Sequence, residues 1–143
     1  MILAKSINKY DPCLCGSKAF YQKCCKKYHD GELPGTAEAL MRSRYSAYCL
    51  NLVDYIVNTT HPQHPDYLGD RQQWREYIYR FGIQTKFDRL EVLEFVDGDK
   101  EATVSFTVHL RQGTEDASFT EKSLFEKMDG RWLYKSGELV GAK

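Results

Sequence analysis

The 143 residues carry 20 basic and 20 acidic side chains, so the formal net charge is zero and the simplest electrostatic case for a nucleic-acid or anionic-membrane protein falls away. Hydrophobic content of 42% with 13% aromatic residues is enough for a packed core and excludes global disorder. No apolar run approaches the ~18 residues of a membrane span, and Met1–Lys5 is too short an apolar start for a signal peptide, so a soluble cytoplasmic chain is expected.

The first element in chain order is a cysteine cluster. Cys13, Cys15, Cys24 and Cys25 fall close together, while Cys49 stands apart. An odd cysteine count without a secretory signal argues against a disulfide framework and for a metal site. A Cys-x-Cys pair can converge on one ion if Gly16 lets the chain turn back, and the adjacent Cys24–Cys25 pair completes a tetrahedron if its backbone bends at a helix end. Four thiolates suit zinc, with iron as the chemical alternative. Such a site has no open position and should be structural, one ion per chain. Residues 1–30 hold six lysines against Asp11 and Asp30, a balance of +4. Thiolates around one divalent ion offset much of it, so the lysines read as a screen for the sulfurs, and otherwise as a weak surface for an acidic partner.

Asp30-Gly-Glu-Leu-Pro-Gly-Thr36 is rich in turn formers and separates two modules, residues 1–32 and 33–143. Thr36 is a predicted N-cap, and Met41, Tyr45, Tyr48, Leu52 and Tyr55 then mark one face of a helix ending near Thr59. Asp70 is a second N-cap, with Trp74, Tyr77, Ile78 and Phe81 as the apolar stripe and Gly82 as the stop. Beyond Gly82 the period changes to two. Strands are predicted over 87–97, 102–110, 118–128 and 131–135, with tight turns at Asp97-Gly98 and Asp129-Gly130. Helices followed by an antiparallel meander make an α+β domain with helices on one sheet face.

Asp11-Pro12-Cys13-Leu14-Cys15-Gly16-Ser17 followed by Tyr21 and Cys24-Cys25 resembles the SEC-C motif, named for the zinc-binding tail of the bacterial preprotein translocase motor. The resemblance implies one zinc held by Cys13, Cys15, Cys24 and Cys25. The translocase tail contacts an export chaperone and the ribosome. Lys18 stands where the motif usually has a second glycine, and Ala19 where lysine is common. Leu40-Met-Arg-Ser-Arg-Tyr45, Asp54-Tyr55, Thr59, His61-Pro62, Glu121-Lys-Ser-Leu-Phe125 and Trp132-Leu-Tyr134 are similar to the bacterial YchJ family of SEC-C proteins. That family implies a main domain of the nuclear-transport-factor-2-like (NTF2-like) fold, a curved sheet wrapped by helices into a cone, and no particular reaction.

The fold alone serves both enzymes and passive binding modules. The pocket candidates are Arg44, Tyr48, Glu121 and Ser123. Glu121 and Ser123 share a strand face with Phe119 and Phe125, and Arg44 flanks the buried helix face by about 60°. An Arg44–Glu121 ion pair is therefore expected to line the cone. The tyrosine stripe reads mainly as core and Cys49 as a packing residue. His61 reads as a helix C-terminal cap and His109 as a solvated strand residue. No catalytic residue is assigned. The leading expectation is an adaptor whose cysteine module docks a protein partner, with the ribosome or nucleic acid as further options. An enzyme or small-molecule receptor using the cone is the alternative.

Overall fold

A computed structural model describes residues 7–141; Met1–Ser6, including Lys5 of the basic segment, and the last two residues lie outside it. The amino-terminal loop leads through a short 3-10 turn, Tyr21–Lys23, into α1 (Cys25–His29). Four helices follow: α2 (Ala37–Leu50), α3 (Val53–Asn58), α4 (Pro65–Leu68) and α5 (Arg71–Gln84). The strands are β1 (Thr85–Val96), β2 (Glu101–Gln112), the two-residue β3 (Glu115–Asp116), β4 (Phe119–Met128) and β5 (Arg131–Leu139). They form one antiparallel sheet in the order β1-β2-β4-β5, with β3 paired to β2. Among the described residues no helix is long and apolar enough to cross a membrane.

Local chemistry accounts for the helix starts. Thr36 Oγ1 accepts from the Ala39 amide at 3.1 Å, and Asp70 Oδ1 accepts from the Gln73 amide at 3.1 Å. Each satisfies one of the amides that a helix start leaves without an intrahelical partner. The predicted single helix from Thr36 to Thr59 is two helices. Asn51 adopts a left-handed conformation, φ 58°, and ends α2 as its C-cap. Asparagine tolerates that region better than other side chains. Gly82 does not stop α5 but lies inside it, and a Cβ there would sit 2.7 Å from Asn51 Oδ1. The glycine allows α5 to close against the end of α2, where Asn51 Nδ2 donates to the Tyr79 carbonyl at 3.1 Å.

The sheet's inner face follows the two-residue period. Ala102, Val104, Phe106, Val108 and Leu110 are buried along β2, each separated by a more exposed residue. They pack with Leu40, Met41 and Tyr45 of α2 and with Phe125 and Trp132 from β4 and β5. Cys49 belongs to the same cluster. His109 is half-exposed and reaches Glu91 Oε1 at 3.2 Å. β5 runs four residues past its predicted end, because β4 continues to supply a ladder partner as far as Leu139.

The segment after α3 is bound to the middle of β5. Thr60 bridges Tyr134, the His61 amide donates to the Tyr134 carbonyl at 2.8 Å, and the Tyr134 amide donates to the Thr59 carbonyl at 2.9 Å. The expected capping role for His61 is replaced by a buried one. Its Nδ1 accepts from the Gln63 amide at 3.0 Å, so Nε2 carries the proton and donates to Glu126 Oε1 at 2.5 Å. Lys135 Nζ donates to Glu126 Oε2 at 3.2 Å. The His61 bond, then the Lys135 bond, holds the Glu126 carboxyl below its ordinary value of 4.5. A lowered folded-state value contributes stability that is present above 4.5 and lost as pH falls through the lower folded value. Glu126→Gln should flatten the acid limb of stability below about pH 4.5 in urea titrations; an unchanged limb would contradict this assignment.

Candidate metal centre and cone cavity

The cysteine loop is built by backbone pairing. The Cys13 amide donates to the Ala19 carbonyl at 2.9 Å, Pro12 bridges Phe20, and the Tyr21 amide donates to the Asp11 carbonyl at 2.9 Å. Gly16, at φ 81°, turns the knuckle between the two arms. Cys24 occupies the kink between the 3-10 turn and α1, and Cys25 opens α1. All four sulfurs lie within 4.8 Å of one another, with Cys15–Cys24 at 3.6 Å and Cys24–Cys25 at 4.0 Å. Tetrahedral coordination at a metal–sulfur distance of about 2.3 Å needs sulfur separations of roughly 3.8 Å. The donor set therefore fits a metal ion, and Cys13, Cys15, Cys24 and Cys25 could hold it.

Electrostatics points the same way. Cys15 and then Cys25 hydrogen-bond to Cys13 and hold its thiol far below the ordinary range. The bond to Cys13 foremost pushes Cys15 up to about 11, and the bonds to Cys13 and Cys15 push Cys25 far above its usual value. Cys13, Cys15 and Cys25 thus share protons among their sulfurs and do not ionise independently. A divalent cation replaces those protons and lets all four ionise.

Residues outside the cysteine segment complete the centre. Ser46 of α2 is fully buried, with Oγ 3.3 Å from Cys25 Sγ and 3.7 Å from Cys13 Sγ. Ser17 Oγ lies 3.0 Å from Cys24 Sγ. Hydroxyl donors to ligand sulfurs orient the ligands and spread their charge. Arg42 Nη1 donates to the Cys15 carbonyl at 2.7 Å, and Leu50 packs against Cys13, Cys15, Tyr21 and Cys25. His29 joins the two parts: Nδ1 accepts from the Tyr21 hydroxyl at 2.7 Å, and Nε2 donates to the Ser43 carbonyl at 2.9 Å. Sequence reasoning missed Ser46, Arg42 and His29. Only the i+4 spacing of Arg42 and Ser46 along α2 hints that they share a face.

The described lysines of this segment, Lys9, Lys18, Lys23, Lys26 and Lys27, are exposed or half-exposed. Lys26 pairs with Asp30 at 2.6 Å, and Lys9 and Lys27 lie over the rings of Tyr10 and Tyr28. Lys18 adopts φ 75°, a conformation that suits glycine and costs other residues roughly 1–2 kcal/mol. The backbone therefore explains why a glycine is usual at this place in the motif. Lys18→Gly should stabilise the folded loop by about 0.5–1 kcal/mol once the greater freedom of unfolded glycine is allowed for. Melting under constant metal concentration would read that gain, and a lowered midpoint would refute it.

The second feature is a cavity of about 220 Å³ between α2, α5 and the sheet. Arg44, Tyr48, Glu121 and Ser123 all line it, with Tyr77, Phe81, Phe87, Phe106, Phe119, Phe125 and Tyr134 among the aromatic and apolar walls. The expected direct ion pair does not form. Arg44 is 7% exposed, and its Nη1 donates to the Ile56 carbonyl at 3.0 Å, Thr59 Oγ1 at 2.7 Å and Thr60 Oγ1 at 3.2 Å. The guanidinium thus caps the carboxyl end of α3, where the helix leaves carbonyls without intrahelical partners. It also lies 4.7 Å from the centre of the Tyr134 ring. Glu121 Oε2 accepts instead from Ser123 Oγ at 2.5 Å and from the Tyr134 hydroxyl at 3.0 Å. Burial first, and the Glu121 carboxylate second, push the Tyr134 hydroxyl up, so it stays protonated as the donor. Tyr134 stands between the two charges, a position the sequence pattern did not mark.

Known proteins resemble this chain in sequence and in fold. Residues 36–137 match the family described as YchJ, middle NTF2-like domain. A UPF0225 protein of Streptomyces coelicolor is 35% identical over 130 residues, covering 90% of this chain and 96% of its own length. The solution structure of a SEC-C motif containing protein from Rhodopseudomonas palustris superposes with a TM-score of 0.80 at 36% identity, over 91% of this chain and 99% of that one. The crystal structure of a SEC-C motif containing protein from Psychrobacter arcticus gives 0.75 at 29% identity, over 92% and 83%. With a clustered four-cysteine loop packed on a helix-and-sheet domain of this shape, the chain belongs to the YchJ family of UPF0225 proteins, SEC-C motif proteins with an NTF2-like domain.

Proposed function

We propose that this protein is a zinc-stabilised adaptor, in which one structural ion closes the amino-terminal loop and the loop docks a macromolecular partner. Four thiolates in a tetrahedron favour zinc over the harder divalent ions. With all four positions taken by sulfur, the ion has no place for substrate or water, so its contribution is to folding. The observation that carries the docking role is what the closed loop presents outward. Tyr10 is 61% and Phe20 51% exposed, Leu14 is also exposed, and Lys9, Lys18 and Lys23 surround them in the sequence. Exposed aromatic anchors beside cationic groups suit a protein segment that combines apolar and acidic residues.

A photo-crosslinking residue at Leu14, in protein prepared with its metal and exposed to bacterial cytoplasmic extract, tests this. The adaptor reading predicts one dominant protein adduct, insensitive to nuclease, lost on Phe20→Ser and on chelation, and retained when the cone cavity is altered. A nuclease-sensitive adduct, or a protein adduct indifferent to Phe20→Ser, would overturn it.

A further inference from the structure

We infer that the cone cavity is a binding site for a small zwitterion, an α-amino acid with a single-ring side chain, held between Glu121 and Arg44. The inference is independent of the metal loop.

Size sets the first limit. A cavity of about 150 Å³ with apolar walls admits benzene, so 220 Å³ accommodates one ring with a short polar tail. Tyr48, Phe81, Phe106 and Phe119 offer the ring its walls.

The polar end is built for charge. Glu121 Oε2 is held by Ser123 and Tyr134, and β5 leaves room for it at Gly137. A Cβ on Gly137 would collide with Oε2 and lie 2.6 Å from the Tyr134 hydroxyl, so the missing side chain is the seat of the carboxylate. Among the described residues no cationic nitrogen forms an ion pair with Glu121. Arg44 is in the complementary situation. Among the described residues its three hydrogen bonds all leave from Nη1, and the rest of the five-donor guanidinium is available to the cavity it lines.

One phenol separates the two charges, its ring beneath the guanidinium and its hydroxyl on the carboxylate. A ligand bearing only an anion would meet Glu121, and one bearing only a cation would meet Arg44. A neutral ligand would leave both charges with unsatisfied capacity in an apolar enclosure. An ammonium and a carboxylate on one carbon answer both groups together.

Calorimetric titration of the full chain with L-phenylalanine, phenethylamine and 3-phenylpropionate tests the assignment. Phenylalanine should bind with a dissociation constant in the micromolar to low-millimolar range expected for about a dozen non-hydrogen atoms. Each single-charge analogue should bind at least tenfold more weakly. Glu121→Gln preserves an acceptor for Ser123 and Tyr134 but removes the charge, and should weaken phenylalanine at least tenfold. Gly137→Ala, which displaces the carboxylate without removing it, should do the same and serves if the first variant does not fold. No saturable binding of phenylalanine, an analogue that binds as tightly, or full affinity in a folded variant would overturn the proposal.

Discussion

Cys15→Ser should abolish tight metal binding and unfold the amino-terminal loop, an effect on the order of 10 kcal/mol for a small structural zinc module. Cys15 is fully buried, and its sulfur lies 3.6 Å from that of Cys24. A serine hydroxyl at that place is a harder, shorter donor that cannot restore the four-sulfur tetrahedron. Hydrogen exchange should lose protection at the Cys13 and Tyr21 amides, whose acceptors are the Ala19 and Asp11 carbonyls of the same loop. The large core lies between α2 and the sheet, so the remaining domain should still unfold in one transition. Its midpoint should fall, because Leu50 loses its cover and Ser43 loses the hydrogen bond from His29. Protection of the loop that persists in the serine variant would contradict this account.

Arg44→Ala is expected to be nearly as damaging to the main domain, about 3–5 kcal/mol by chemical denaturation. The alanine removes the donor that meets Ile56, Thr59 and Thr60 at once and leaves the end of α3 without its cation. It also vacates the face of Tyr134, whose backbone ties β5 to the segment after α3. Arg44→Lys should recover only a part, because an ammonium is a point charge and cannot span three acceptors while stacked on a ring. Equal stability of Arg44→Lys and the natural chain would refute the capping role.

The two cases also mark what the sequence can and cannot convey. The β2 alternation, the caps at Thr36 and Asp70 and the close cysteine pairs are short-range patterns, and the fold class follows from them. The helix break at Asn51 and the uninterrupted passage of α5 through Gly82 depend on each other across 31 positions, so neither residue announces the outcome alone. Arg44 was legible as a buried cation but not as a helix cap, since its partners are backbone and hydroxyl oxygens that become neighbours only after α3 folds back. Ser46 and Arg42 belong to the same class. They meet cysteines 21 and 27 positions away because α2 lies under the loop.

The central claim is that one ion, held by four sulfurs, organises the amino-terminal module. Elemental analysis of the chain purified without chelator tests it most directly: the account predicts one zinc per chain, lost on Cys15→Ser, whereas metal-free protein with the loop still protected from exchange would contradict it.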